Sequence, residues 1–382
     1  MIGRMILFLV VVLGLTFAIH YFLWVRLVRD PALPEPWARI LTVAIFALGA
    51  LLPISMVVIR TAPRSVATPF AWVAYVWMGV MFLTFFTLVP LELARFAGHR
   101  VIGVDPERRL ALARILAGLG GAAGLVLGAG GMVSALKKVA VEPVKVFLSK
   151  LPTGKSYKLV QISDVHVGPT IGKEFLESVV ATINAEDADV VAITGDLVDG
   201  SVAQLGALVE PLKQIKAKHG VFFVTGNHEY YSGADEWIAH LGTLGIRVLR
   251  NERVPIDGDA GFDLAGVDDT SAKGFGHGHG QDVARAMKDR DPARAVVLLA
   301  HQPKAIGDAV KHAVDLQLSG HTHGGQIWPW GYAVRLDQRH VAGLAQEGET
   351  QIYVSRGTGY WGPPIRVGAP AEITRIEIVG TG

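Results

Sequence analysis

The chain changes character near residue 137: long apolar runs dominate before it, and short apolar runs alternating with amphipathic stretches follow. Four runs stand out in the first part, at residues 5–25, 40–59, 70–91 and 115–136. Each is close to the ~20 residues that a helix needs to cross ~30 Å of hydrocarbon, so the pattern predicts four transmembrane helices. The first run ends in His20, Tyr21, Phe22 and Trp24 rather than at a small-residue cleavage site, and is expected to stay in the mature protein. Pro53 inside the second run is tolerable where neighbouring helices satisfy the freed carbonyl. Glycines at 118, 120, 121, 124, 128, 130 and 131 place the fourth helix in close contact with its neighbours. No charge lies deep within any run, which argues against an ion path. Basic residues split almost evenly between the two sides; the denser loop before the fourth run leans cytoplasmic, which places the C-terminal part outside.

Residues 138–157, with Pro143, Pro152 and Gly154, read as a surface connection. Domain boundaries of 1–137, 138–157 and 158–382 follow. Beyond the connection, residues 158–163, 189–194, 221–225, 295–300 and 316–319 read as buried strands, with helices at 173–185 and 203–218 between them. Strands alternating with helices imply a layered α/β domain. Two last strands, at 351–354 and 372–378, lack an intervening helix and suggest a second, more antiparallel sheet.

Composition narrows the chemistry. With 36 basic and 34 acidic residues the net charge of +2 gives no footprint for nucleic acid, and none is expected as a partner. The absence of cysteine leaves His, Asp, Glu and Asn as metal ligands. Such residues follow each predicted strand in turn: Asp164-Val165-His166, Gly195-Asp196, Gly226-Asn227-His228-Glu229, His301, and Gly320-His321-Thr322-His323-Gly324-Gly325. Ligands of α/β sheets collect at the carboxyl ends of strands, so these turns are expected to converge. Singly each is a common cap or turn; five in series are a site.

This order of blocks resembles the calcineurin-like metallophosphoesterases over about residues 157–379. It looks closest to the YaeI- and YkuE-like phosphodiesterases, through Gly320-His321-Thr322-His323-Gly324-Gly325-Gln326-Ile327 and Tyr353-Val354-Ser355-Arg356-Gly357, and its spans look like those of transmembrane metallophosphoesterase-domain proteins. The resemblance implies an N-terminal four-helix transmembrane bundle joined to a four-layer αββα sandwich that holds two divalent metal ions. One would be bound by Asp164, His166 and His323, the other by Asn227, His301 and His321, with Asp196 bridging. Two such ions can clamp a phosphate and lower the pKa of a bridging water toward ~7. His228, beside a ligand, is the candidate for stabilising transition-state charge or protonating the leaving oxygen. Asp199 is weighed equally as an orienting group and as a turn residue. Mixed donors suit manganese, iron or zinc over calcium. Arg356, and with less support Arg366, are candidates for binding substrate phosphate. The loop Gly276-His277-Gly278-His279-Gly280 reads as a solvated glycine loop, and its histidines are kept out of the site.

The expected activity is metal-dependent phosphate-ester hydrolysis in an integral membrane protein of the cell membrane, with phosphodiesters favoured and lipids as the substrates an anchored site would meet. A pyrophosphatase of nucleotide-linked glycolipids is the enzyme alternative. A non-catalytic membrane sensor of a phosphorylated ligand is the alternative of another class.

Overall fold

The computed structural model describes residues 2–101, 105–276 and 278–382; His277 lies outside them. The chain divides into two compact units, Met1–Val133 with Gly362–Ile365, and Ser134–Trp361 with Arg366–Gly382.

The first unit contains α1 (Ile2–Trp24), extended by a π-helical turn at Val25–Arg29, then α2 (Trp37–Thr61), α3 (Arg64–Val101) and α4 (Pro106–Leu136). All four contain a stretch long and apolar enough to cross a membrane. Their outer faces keep Val10, Leu15, Val43, Val57, Leu125 and Val126 exposed, an arrangement suited to lipid rather than water. Lipid gives apolar helices no hydrophobic drive to associate, so close packing and polar contacts must hold them. Three glycines of α4, four residues apart, supply the first: Gly120 lies against Leu88, Gly124 against Thr84 and Gly128 against Val80. A hydrogen-bond relay supplies the second. Trp77 Nε1 donates to His20 Nε2 at 3.0 Å, and His20 Nδ1 donates to the Thr16 carbonyl at 2.7 Å. Both nitrogens of this buried imidazole are therefore satisfied in the neutral form. At the helix ends, Arg26 pairs with Asp30 at 2.5 Å and Glu92 at 3.2 Å, and Arg95 with Glu92 at 2.8 Å.

The second unit is built on two six-stranded sheets. Its strands are β1 (Ala140–Leu148), β2 (Ser156–Ile162), β3 (Val190–Ile193), β4 (Val221–Phe223), β5 (Arg247–Val248), β6 (Glu252–Ile256), β7 (Phe262–Gly266), β8 (Val296–Leu299), β9 (Leu316–Ser319), β10 (Gly343–Glu347), β11 (Thr350–Val354) and β12 (Glu372–Gly380). One sheet runs β1-β12-β2-β3-β4-β5 and the other β10-β11-β9-β8-β7-β6. Leu159, Ala192 and Phe222 of the first pack with Leu264, Val297 and Leu316 of the second in one buried layer. Helix α5 (Lys173–Ala185) covers the outer face of the first sheet with Leu176, Val180 and Ile183, while Val296, Leu298 and Ile352 of the second sheet pack outward on Ile306 and Ala309. These layers form the αββα sandwich.

Three features differ from the sequence reading. The segment expected as a connection carries β1, an edge strand parallel to β12 in register Val144↔Ile376 and Val146↔Ile378. Its Pro143 is tolerated because an edge strand leaves one row of amides unpaired. The two C-terminal strands do not form a sheet together: β11 lies parallel to β9 in the second sheet, and β12 joins the first, antiparallel to β2. The helix expected at 203–218 is shorter, with α6 at Val202–Val209 followed by a 3-10 turn at Glu210–Gln214 that begins with Pro211 near its start. Within the sheets, β2, β3 and β4 are parallel, as are β7, β8 and β9, so the motif-bearing turns all leave at carboxyl ends.

A Cβ on Gly124 would meet the Thr84 side chain and, at 2.9 Å, its backbone, whereas nothing lies within 4 Å of one on Gly118. Gly124→Val is expected to destabilise the protein in detergent by about 1–3 kcal/mol, and Gly118→Ala to leave it unchanged. Thermal unfolding followed by tryptophan fluorescence checks this; equal midpoints for both variants would remove the helix contact from the account.

Candidate metal centre

Five of the seven expected ligands sit in left-handed backbone, with φ of 52° at Asp164, 53° at His166, 50° at Asp196, 70° at His321 and 51° at His323. Such conformations cost a non-glycine residue roughly 1–2 kcal/mol each, and their clustering marks a site that the surrounding sheets hold in place. Neighbouring glycines let the turns approach. A Cβ at Gly195 would meet the Gly226 backbone at 2.6 Å and the His301 ring at 2.7 Å, and one at Gly320 would strike Ser163 and Asp164.

The turns bring the donors into two adjoining groups. Asp164, His166 and His323 offer atoms within 4.8 Å of one another, as do Asp196, His301 and His321, and a third grouping of His166, Asp196 and His228 links them. His166 Nε2 stands 3.1 Å from His323 Nε2, His321 Nδ1 3.2 Å from His301 Nε2, and His301 Nε2 3.1 Å from Asp196 Oδ2. Asp196 Oδ2 also lies 3.9 Å from His166 Nε2, so one carboxylate faces both groups.

The far-side partners fix the outer nitrogens of two rings as donors. His301 Nδ1 donates to the Thr194 carbonyl at 2.7 Å, and His166 Nδ1 to Asp199 Oδ1 at 3.0 Å. Neutral His301 would turn its Nε2 lone pair onto the Asp196 carboxylate, which calls for a proton or a cation between them, while His166 Nε2 can accept from His323 Nε2, whose Nδ1 faces the Arg366 guanidinium. Asn227 Oδ1 is buried with no hydrogen-bond partner. An orphaned amide oxygen on the turn after β4, together with these grouped imidazoles and carboxylates, fits bound divalent metal, and the donor set fits two such ions.

Titration follows the same geometry. Burial pushes the His321 imidazole down to about 3, helped by the charge of His301; His323 is held well below its usual value by burial and His166. Burial opposes ionisation of Asp196, yet the imidazoles of His301 and His228 outweigh it and hold the carboxyl well below the usual range. Burial likewise works against a charged His228, and the carboxylates of Asp196 and Asp199 overcome it, raising the imidazole to about 9.

Asp199 orients two rings at once, accepting from His166 Nδ1 and, at 2.6 Å, from His228 Nδ1. Glu229 was quoted in its motif without a role. It is fully buried and accepts from the backbone N–H groups of Asp196 at 3.0 Å, Leu197 at 2.8 Å and Gly226 at 2.6 Å, tying the turn after β3 to the turn after β4. Burial and the charge of Asp196 raise its carboxyl to about 7. Its sequence signal was its place three residues past the Gly226 cap of a short helix, α7 (Asn227–Ser232).

Both arginines are engaged within the protein. Arg366 is buried and donates to the carbonyls of Gly359 at 2.9 Å and Ala369 at 2.8 Å, with Nη2 3.3 Å from His323 Nδ1. It braces the loop behind His323, and a guanidinium so enclosed cannot also meet a substrate. Arg356 directs Nη1 to Glu372 Oε2 at 2.7 Å, an ion pair that competes with the expected phosphate contact. His279 is not a solvated loop residue: Arg250 Nη2 meets its Nδ1 at 2.8 Å, and its Nε2 lies 3.4 Å from Asp235. It joins none of the metal-holding groups among the described residues.

A two-sheet sandwich whose parallel strands deliver buried imidazoles and carboxylates to one edge is the build of a metallophosphoesterase. The calcineurin-like phosphoesterase family profile matches residues 157–325. A transmembrane protein with metallophosphoesterase domain from Bos taurus is 39% identical over 328 residues, covering 80% of this chain and 73% of that protein. An uncharacterized metallophosphoesterase from Helicobacter pylori strain J99 is 39% identical over 251 residues, 65% of this chain and 66% of its own length. The metallophosphoesterase YkuE of Bacillus subtilis is 30% identical over 243 residues, 61% of this chain and 83% of that protein. The chain belongs to the calcineurin-like metallophosphoesterases and is anchored in the membrane by its apolar helices.

Removing Glu229 strands three buried amides. Glu229→Ala is expected to cost about 3 kcal/mol or more of stability, and Glu229→Gln, which retains one acceptor oxygen, less. Chemical denaturation of the catalytic unit's transition in the intact protein reads this, and a loss below ~1 kcal/mol for the alanine variant would deny the clamp.

Proposed function

We propose that this metallophosphoesterase hydrolyses phosphodiesters at a two-metal centre, with lipid-linked esters as the substrates its anchoring favours. The observation that carries the reading is the convergence of inward ring nitrogens, His166 with His323 and His301 with His321, on two groups that the Asp196 carboxylate joins, with the Asn227 oxygen buried and unpartnered on the turn after β4. Asp164, His166 and His323 would hold one ion and Asn227, His301 and His321 the other, with Asp196 shared between them. Manganese, iron and zinc all suit these donors. When bound, the ions supply Lewis acidity toward the phosphoryl oxygens and toward water.

The chain's own contribution beyond ligation centres on His228. Its Nδ1 is anchored on Asp199 and its backbone N–H donates to Asp196 Oδ1 at 2.9 Å, which fixes the ring with Nε2 3.9 Å from Asp196 Oδ2. An N–H at that position serves the oxygen that departs. In the balanced reaction a water oxygen bonds to phosphorus, the bond from phosphorus to the leaving oxygen breaks, and that oxygen takes up a proton to become an alcohol.

The test uses the intact protein in nanodiscs with manganese, assayed on bis-p-nitrophenyl phosphate and p-nitrophenyl phosphate. Asp196→Ala is expected to lose bound metal and activity together. His228→Ala is expected to keep two metals per chain while kcat on the diester falls about 100- to 1000-fold. Two bound metals without turnover of the diester would sink the catalytic reading, and near-normal kcat in His228→Ala would remove that residue from it.

A further inference from the structure

Three large aromatic side chains stand exposed beside His228. Tyr231, Phe275 and Trp361 keep 63%, 45% and 55% of their surface open. The His228 ring meets Tyr231 at 5.4 Å and Trp361 at 5.5 Å, edge to face in both cases, and Phe275 extends the wall from Tyr231 at 5.8 Å. Exposed apolar residues scattered singly are ordinary, but a contiguous set against the one site imidazole not needed as a ligand is not.

The wall is built on fixed supports. Tyr230, next to Tyr231, is buried with Ala234 and Ala272, and its hydroxyl meets Thr225 Oγ1 at 3.1 Å. Phe275 packs on Tyr230 at 5.6 Å, and its N–H donates to the Ala272 carbonyl at 3.0 Å. Gln326 grips the Trp361 backbone from both sides: Trp361 N–H donates to Oε1 at 3.0 Å, and Nε2 donates to the Trp361 carbonyl at 3.1 Å. Gln326 follows the turn that carries His323, so one segment places both a metal-group imidazole and a ring of the wall.

We propose that Tyr231, Phe275 and Trp361 form a subsite for an alkyl leaving alcohol, the lipid-type portion of the phosphodiester that departs. The inference rests on the two-metal reading above. If His228 serves the departing oxygen, the carbon attached to that oxygen emerges among the rings that touch His228. Aromatic faces there reward hydrocarbon, and each buried methylene strengthens binding about fourfold. A sugar at the same place would surrender water contacts to surfaces that return few hydrogen bonds. The alkyl assignment is favoured because the chain's membrane-crossing helices hold it where alkyl esters are concentrated.

The experiment measures kcat/KM of the intact protein in nanodiscs with manganese on diethyl, dibutyl and dihexyl phosphate. These symmetrical esters share nearly the same leaving-group chemistry, and because both arms lengthen together the subsite's share is read from the change in the dihexyl-to-diethyl ratio between wild type and double variant. The wild-type ratio is expected to be about tenfold or more, collapsing to within about threefold in Tyr231→Ala/Trp361→Ala and largely retained in Trp361→Phe. A ratio near one in the wild type, or the same ratio in wild type and double variant, overturns the subsite while leaving the two-metal reading intact. Turnover of bis-p-nitrophenyl phosphate with hydrolysis of none of the alkyl esters overturns the subsite alone, and failure on the p-nitrophenyl diester as well overturns both. An ethyl thymidine 5′-phosphate diester that loses more than dihexyl phosphate in the double variant would reassign the wall to base stacking and overturn the alkyl assignment.

Discussion

The structure turns on a buried carboxylate that several ring nitrogens face at once. Asp196 is 2% exposed, and His301, His166 and His228 all direct an Nε2 toward its Oδ2. Burying one anion is costly, and burying it with Asp164 close by is costlier still. Positive charge must complete the arrangement, either as protons on the imidazoles or as metal. The protons suffice for His301 and His228, whose imidazoles the carboxylates drive upward. They do not suffice for His321 and His323, which burial keeps neutral, nor for the Asn227 oxygen, which has no charge to change. Bound metal would serve all of them together.

That requirement explains why so much of the second unit is devoted to holding five turns still. Left-handed residues at the strand ends aim their side chains inward at an energetic cost that no single turn could sustain alone. The two sheets sustain it through shared supports: Glu229 links the turns after β3 and β4, the Asp164 carboxylate accepts the His321 N–H at 2.9 Å across the sheets, and Arg366 braces the loop behind His323. Removing one support loosens donors on more than one strand, because each ties two segments.

The legible parts of the sequence were those in which one residue carries one signal. Runs of twenty apolar residues identify spans, and a strand ending in Asp-x-His or His-x-His identifies a donor. The β1 strand was harder to see because its signal is shared: Val144, Val146 and Leu148 alternate inward, but Glu142, Pro143 and Lys145 make the same stretch look like a connection. Placement of β12 was hidden for a different reason. Its apolar alternation fixes which face is buried, not which sheet it enters, and only pairing with β1 and β2 decides that. Arg366 shows the limit for single residues, since a guanidinium that binds phosphate and one that gathers loop carbonyls are the same letter.

Two buried histidines show what separates a structural from a chemical role. His20, in the first unit, is 1% exposed, and His301, in the second, is equally hidden. Burial alone does not distinguish them. At His20 the Thr16 carbonyl accepts from one nitrogen and the Trp77 indole donates to the other, so the ring has no capacity left and serves to join helices. At His301 the Thr194 carbonyl accepts from Nδ1, and Nε2 is turned onto a carboxylate and a second imidazole that cannot both satisfy it in the neutral state. An interior imidazole with one nitrogen committed and the other aimed at acceptors is a site; with both committed it is a bolt. The same count separates Asp199, whose one oxygen is taken by two rings that it orients, from Asp196, whose Oδ2 is shared by nitrogens it cannot all receive protons from.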